Sequence, residues 1–150
     1  MKPRITRLEN GARVVTLHMP QALSASVGIW ADVGARHEPA RWNGISHFLE
    51  HMLFKGTTRR SARRISEEIE GVGGDINAHT SEERTCYYAT APGKYFRRVC
   101  DVLIDLYAHP RLAEKDIELE RGVIAEEILM YRDEPGQHVH DLLHGIFWPR

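Results

Sequence analysis

His47-Phe48-Leu49-Glu50-His51 reads H-x-x-E-H. On a helix, positions i, i+3 and i+4 fall on one face, so His47, Glu50 and His51 project together. Two imidazoles one turn apart can grip a single Zn²⁺, and the carboxylate between them can take a proton from a metal-bound water. Phe48 and Leu49 are left to turn toward a core and fix the helix in place. A hydrolytic zinc site has three protein ligands and an open position, so another rigid element must supply the third.

Outward from this stretch, Asn43 reads as the N-cap of a helix over 44–54, closed by Lys55-Gly56-Thr57-Thr58. Ser61 caps a second helix with apolar positions Ala62, Ile65 and Ile69, ending at Gly71. Upstream, residues 5–8 and 13–18 read as two strands joined through Asn10-Gly11, the strongest short hairpin signal. Val27, Ile29, Ala31 and Val33 alternate with Gly28, Trp30 and Asp32 on the other face over 24–33, which is strand periodicity. Downstream, strands over 75–80 and 84–91 flank a turn at Ser81-Glu82-Glu83, with Pro92 closing the second.

Helical spacing returns over 94–108, at Phe96, Val99, Val102, Leu103, Leu106 and Tyr107, until His109-Pro110. A long helix follows over 114–132, with Ile117, Val123, Ile124, Ile128 and Leu129 as its expected core stripe. Asp133-Glu134-Pro135-Gly136 breaks it, and 137–147 reads as a further helix before Trp148-Pro149-Arg150. The order βββ-αα-ββ-αα predicts an α+β fold, a mainly antiparallel sheet backed by helices.

A chain of 150 residues with 42% hydrophobic and 27% charged content fits one globular domain with a real core. A net charge of −1 gives no basic field for nucleic acid or an anionic membrane. The basic cluster Arg59, Arg60, Arg63 and Arg64 reads as a solvated helix face. No apolar run approaches a bilayer span, and residues 1–10 lack a signal-peptide core, so the cytoplasm is the default expectation. Cys86 and Cys100 are too few and too far apart for a cysteine zinc site and read as buried free thiols in a reducing compartment.

For the third ligand the long helix offers Glu114, Glu118, Glu120, Glu126 and Glu127. Glu120 and Glu127 share a face two turns apart, so one can bind the metal while the other orients a ligand. The blander readings are a pair of hydrogen-bonded helix histidines and a solvated helix carboxylate. His138, His140 and His144 cluster near the end of the sequence and read as packing rather than a second metal site.

The sequence from Gly44 through Thr57, G-I-S-H-F-L-E-H-M-L-F-K-G-T, resembles the processing-peptidase branch of the M16 zinc metallopeptidases, the inverzincins. So do Glu120-Arg121-Gly122-Val123-Ile124-Ala125-Glu126-Glu127-Ile128 and Tyr131-Arg132-Asp133, and the likeness covers nearly the whole chain. In that family the third ligand is a glutamate some seventy-odd residues after the second histidine. The resemblance therefore implies His47, His51 and Glu127 as ligands of one zinc ion per chain. It implies Glu50 as the general base in peptide-bond hydrolysis, and Glu120 as a catalytic-site carboxylate that orients a ligand. Asn77-Ala78-His79-Thr80-Ser81 matches the family's edge strand, implying that Asn77 and Ala78 contact an extended peptide or unfolded polypeptide substrate by β-augmentation.

Family members carry a second, similar domain that closes the catalytic chamber, and nothing in this sequence matches it. The sequence also ends before the family's first domain would be complete, so the expectation is an N-terminal domain incomplete at its C-terminal end. Two function classes follow: a zinc metalloendopeptidase, or a non-catalytic or half-site subunit that works with a second such domain or chain.

Overall fold

The computed structural model describes residues 2–147. Five strands and five α-helices follow one another as β1 (Arg4–Arg7), β2 (Arg13–Thr16), β3 (Ser24–Ala31), α1 (Ile45–Leu53), α2 (Ala62–Ile69), β4 (Asp75–Thr80), β5 (Thr85–Pro92), α3 (Phe96–Ala108), α4 (Glu114–Asp133) and α5 (Pro135–Phe147). The α+β class and the element order match the periodicity of the sequence. The strands divide into two antiparallel sheets rather than one. β1 and β2 pair only with each other, Ile5 opposite Val15, and expose every residue.

The main sheet has the order β3-β5-β4, with Ile29 opposite Tyr87 and Ala78 opposite Tyr87 on its other side. Period-2 alternation puts Tyr87, Ala89 and Ala91 on one face, where they meet Ile65 and Ile69 of α2 and Val99, Val102, Leu103 and Leu106 of α3. Leu53 brings the end of α1 into the same core, and Val27, Ile29, Ile76 and Ala78 close its margin. Phe96 and Tyr107, expected in the α3 stripe, are 48% and 43% exposed because they flank the buried line rather than lie on it. Pro92 does not stand outside β5; it is the last residue of the strand, opposite Ser24. Pro135, read as a breaker, opens α5, where its fixed φ and missing N–H are tolerated.

α4 departs most from its pattern. Val123, Ile128 and Leu129 are exposed, while the helix's buried residue is Glu120. The face turned to α1 runs through Ile117, Glu120, Ile124 and Glu127, so two of the expected stripe residues, Ile117 and Ile124, share the inward face with carboxylates while the other three do not.

The arginine cluster also needs correction. Arg63 and Arg64 do lie on the solvated face of α2, in i,i+4 pairs with Glu67 and Glu68. Arg59 and Arg60 precede the helix and reach back to α3, where Asp105 is fully buried. Arg59 Nε donates to Asp105 Oδ1 at 2.8 Å, and Arg60 Nη1 and Thr57 Oγ1 donate to Oδ2, each at 2.7 Å. Burial alone would push Asp105 up, but these hydrogen bonds from Thr57, Arg59 and Arg60 outweigh it and hold the carboxyl well below the usual range. Cys86 is buried and Cys100 half-buried, both free, and burial raises both thiols.

Because the folded pKa of Asp105 lies below its unfolded value, the stabilisation is complete above about pH 4 and is lost as pH falls further toward the folded value. Asp105→Asn should cost about 3 kcal/mol at neutral pH by leaving the Arg60 charge without its buried partner. Thermal unfolding across pH checks this: the wild-type and variant curves should converge in acid.

Candidate metal centre

α1 is held by its first turn. Asn43, the expected N-cap, is not the cap; Gly44 is, at φ +89°, a left-handed conformation that glycine adopts without the strain a Cβ would bring. Its missing side chain is replaced from outside the helix. Glu38 accepts from the Gly44 N–H through Oε2 at 2.6 Å and from the Ser46 N–H through Oε1 at 2.8 Å. A carboxylate here satisfies free amides and meets the positive end of the helix dipole. No short-range capping pattern places Glu38 in the sequence, since it acts across an intervening turn.

Met52 and Leu53 are buried, but Leu49, expected in the core, is 39% exposed. It lies on the side of α1 opposite His47 and His51. The other face carries the cluster. His47 Nε2 and His51 Nε2 are 3.2 Å apart, and Glu127 Oε2 of α4 lies 3.7 Å from the first and 3.5 Å from the second. Ligands bound tetrahedrally at about 2.0–2.2 Å must themselves stand about 3.3–3.6 Å apart, so this triangle fits one zinc ion. Two imidazoles and a carboxylate are also the donor types zinc takes. Among the described residues these three form the group able to hold a metal ion. The side chain of His144 lies outside the described residues, and His138 and His140 join no such group.

Two buried oxygens sharpen the fit: Glu127 Oε2 and Glu50 Oε2 have no hydrogen-bond partner. A buried anionic oxygen left unpaired is costly, and a cation together with a polar reactant would satisfy both. The three side chains are only partly covered, His47 being 37% exposed, so the triangle opens to solvent on one side.

Glu120 is not a fourth corner. Its side chain is 3% exposed, with Oε1 2.8 Å from His51 Nδ1 and Oε2 2.5 Å from Lys55 Nζ. Burial would raise Glu120, but hydrogen bonds from Lys55 and then His51 hold it below the ordinary carboxylate value. As an anion it accepts the His51 Nδ1–H, which leaves Nε2 bare and facing the cluster. Tyr131, one turn beyond Glu127, is raised first by the charge of Glu127, then by burial. Neither Lys55 nor Tyr131 is marked by sequence spacing, Lys55 because it stands past the end of α1.

Asn77 and Ala78 lie on β4, at the margin of the three-stranded sheet and beside α1. Asn77 is exposed, Ala78 half-buried, and the Ala78 N–H donates to Asn77 Oδ1 at 2.8 Å. The structure therefore brings Glu50, Glu120 and the three histidine and glutamate donors to one place, with the strand carrying Asn77 and Ala78 alongside.

A family model described as insulinase (peptidase family M16) matches residues 13–150. The Bacillus subtilis protein named as the uncharacterized zinc protease YmxG is 47% identical over 90% of this chain and 33% of its own length. The Bos taurus mitochondrial-processing peptidase subunit beta is 44% identical over 95% of this chain and 29% of its own. Among solved structures, a protease from Helicobacter pylori superposes with a TM-score of 0.86 at 28% identity, over 91% of this chain and 33% of that one. Pitrilysin superposes at 0.80 with 31% identity, over 90% of this chain and 14% of that one. The chain thus spans about a third of the length of the curated relatives it matches.

Substituting His47, His51 or Glu127 by alanine should each weaken Zn²⁺ binding by at least about 100-fold, since a tetrahedral site loses one of three protein ligands. Glu38→Ala should leave affinity nearly unchanged and lower the melting temperature. Competition titration against a chromogenic chelator, beside thermal unfolding, separates the two effects.

Proposed function

Because this chain belongs to the insulinase family of peptidases, family M16, we propose that it forms the zinc-binding half of a metalloendopeptidase that hydrolyses extended polypeptides. His47, His51 and Glu127 hold one Zn²⁺ per chain in this reading. The observation that carries it is the 3.2–3.7 Å triangle of their donor atoms with the unpartnered Glu50 Oε2 beside it. Zinc, when bound, supplies a Lewis acid that lowers the pKa of water and polarises a carbonyl.

The remaining work falls to the chain's own residues. Glu50 Oε2, buried and free of hydrogen bonds, takes the proton of the attacking water and later hands it to the leaving amine. Glu120 holds His51 in the tautomer that presents Nε2. β4 is one of the two edge strands of its sheet among the described residues, the one packed beside α1, and an extended substrate added to that edge is read through its backbone. Asn77 and Ala78 sit midway along it, next to α1, which would bring a scissile carbonyl toward Glu50.

A second reading is a subunit that keeps the fold and depends on another M16-type domain or chain for turnover. It is favoured by the apolar surface of α4 and α5, where Val123, Leu129, Leu142 and Ile146 are each more than half exposed. Such a surface suits a partner better than water.

Glu50→Gln should retain stoichiometric zinc and lower the cleavage rate of a quenched-fluorescent peptide library by about 10²–10⁴-fold. Loss of zinc in the variant, or an unchanged rate, would count against the base. Zinc binding without cleavage by either protein would favour the second reading. Ala78→Pro, which removes an N–H from the edge, should raise KM for extended peptides more than it lowers kcat.

A further inference from the structure

Lys55 stands immediately after the residue that caps α1, in a loop whose backbone is tied down on both sides. Its carbonyl accepts from Arg111 Nη2 at 3.0 Å, and the Gly56 carbonyl accepts from the Arg111 N–H at 2.9 Å. Thr57 N–H donates to the Arg60 carbonyl at 2.8 Å, and Thr58 N–H to the His109 carbonyl at 3.1 Å. Gly56 makes this path with φ +122°, where an added Cβ would sit 2.9 Å from the Arg60 carbonyl oxygen. The loop is therefore fixed before the lysine side chain is considered, and that side chain, though 38% exposed, reaches the buried Glu120 with its ammonium group.

The contacts form a chain: Lys55 Nζ to Glu120 Oε2 at 2.5 Å, Glu120 Oε1 to His51 Nδ1 at 2.8 Å, and His51 Nε2 into the cluster with His47 and Glu127. A glutamate side chain has three rotatable bonds, and one bond to an imidazole leaves the carboxylate free to swing. A second bond at the other oxygen removes that freedom.

We propose that Lys55 is a positioning residue for the metal centre. Its ammonium group anchors one oxygen of Glu120, so that the other meets the His51 Nδ1–H and the His51 Nε2 lone pair is aimed between His47 and Glu127. Lys55 touches neither metal nor substrate in this arrangement and acts only through Glu120. The inference rests on the metal-site reading above, and it assigns a role to the Lys55-Gly56-Thr57 turn, which that reading leaves without one.

The test is a double-variant cycle with two readouts. Zinc affinity is measured by chelator competition for the wild-type chain, Lys55→Met, Glu120→Gln and the pair. The His51 tautomer is read from ring ¹⁵N shifts in the metal-free proteins. Lys55→Met should weaken zinc binding by about 10-fold, within the range for residues that orient a ligand, and should turn a single Nδ1–H tautomer into a mixture. In the Glu120→Gln background it should add less than about twofold, since the two residues act as one unit. Lys55→Arg should restore most of the affinity and the single tautomer, because a guanidinium can also reach a single carboxylate oxygen.

An unchanged tautomer with affinity within about twofold of wild type, or an equal loss whether or not Glu120 is present, overturns the proposal. If Lys55→Met does not fold, Lys55→Gln carries the same cycle with a polar side chain in place. A wild-type chain that binds no zinc would overturn the metal-site reading instead, and the tautomer in the metal-free proteins would still decide the role of Lys55.

Discussion

Three donor atoms held within 3.7 Å of one another, from two different helices, set the terms for the structure around them. Imidazole lone pairs and a carboxylate oxygen have no mutual attraction at that distance unless a proton or a cation lies between them. The fold must therefore hold α1 and α4 against each other with interactions made elsewhere. Glu38 fixes the start of α1, Met52 and Leu53 bury its end, and Glu120 ties α4 to His51 and Lys55. The contact between the two helices carries Glu120 and Glu127 beside Ile117 and Ile124, where an ordinary helix pair would be apolar throughout.

That arrangement explains why α4 looks unlike its sequence pattern. A helix that buries Glu120 and half-buries Glu127 keeps only the aliphatics in line with them, Ile117 and Ile124, on the inward face, and Val123, Ile128 and Leu129 face outward. α5 adds Val139, Leu142, Leu143 and Ile146 to the exposed apolar surface. The β1–β2 hairpin likewise exposes its apolar residues, Ile5 and Val15 among them, whereas the core between the main sheet and α2 and α3 is closed.

A second polar centre lies on α3. Asp105 is fully buried on α3 and gathers Thr57, Arg59 and Arg60 from the segment between α1 and α2. It anchors the far end of the segment that begins with Lys55. The segment is thus tied at Asp105, at Arg111 and at Glu120.

Much of the fold was legible in short-range pattern. Alternation marked β3, the turn at Ser81-Glu82-Glu83 and Pro92 bracketed β5, Asn10-Gly11 marked the hairpin, Ser61 marked the start of α2, and the spacing of Val99, Val102, Leu103 and Leu106 marked the buried side of α3. These are local consequences of backbone geometry, with periods of two or 3.6 residues, and need no knowledge of the neighbours. The H-x-x-E-H spacing likewise put His47, Glu50 and His51 on one helical face by itself. Helix spacing left the choice among the glutamates of α4 open, and the family resemblance singled out Glu127, which the packing of α4 on α1 does bring beside the histidines. What the tertiary structure alone decided was that Lys55 meets Glu120, that Glu38 caps α1, and that Arg60 turns inward to Asp105. The physical reason is that a charged side chain carries no periodic signal of its own: it is buried only where another element brings the opposite charge.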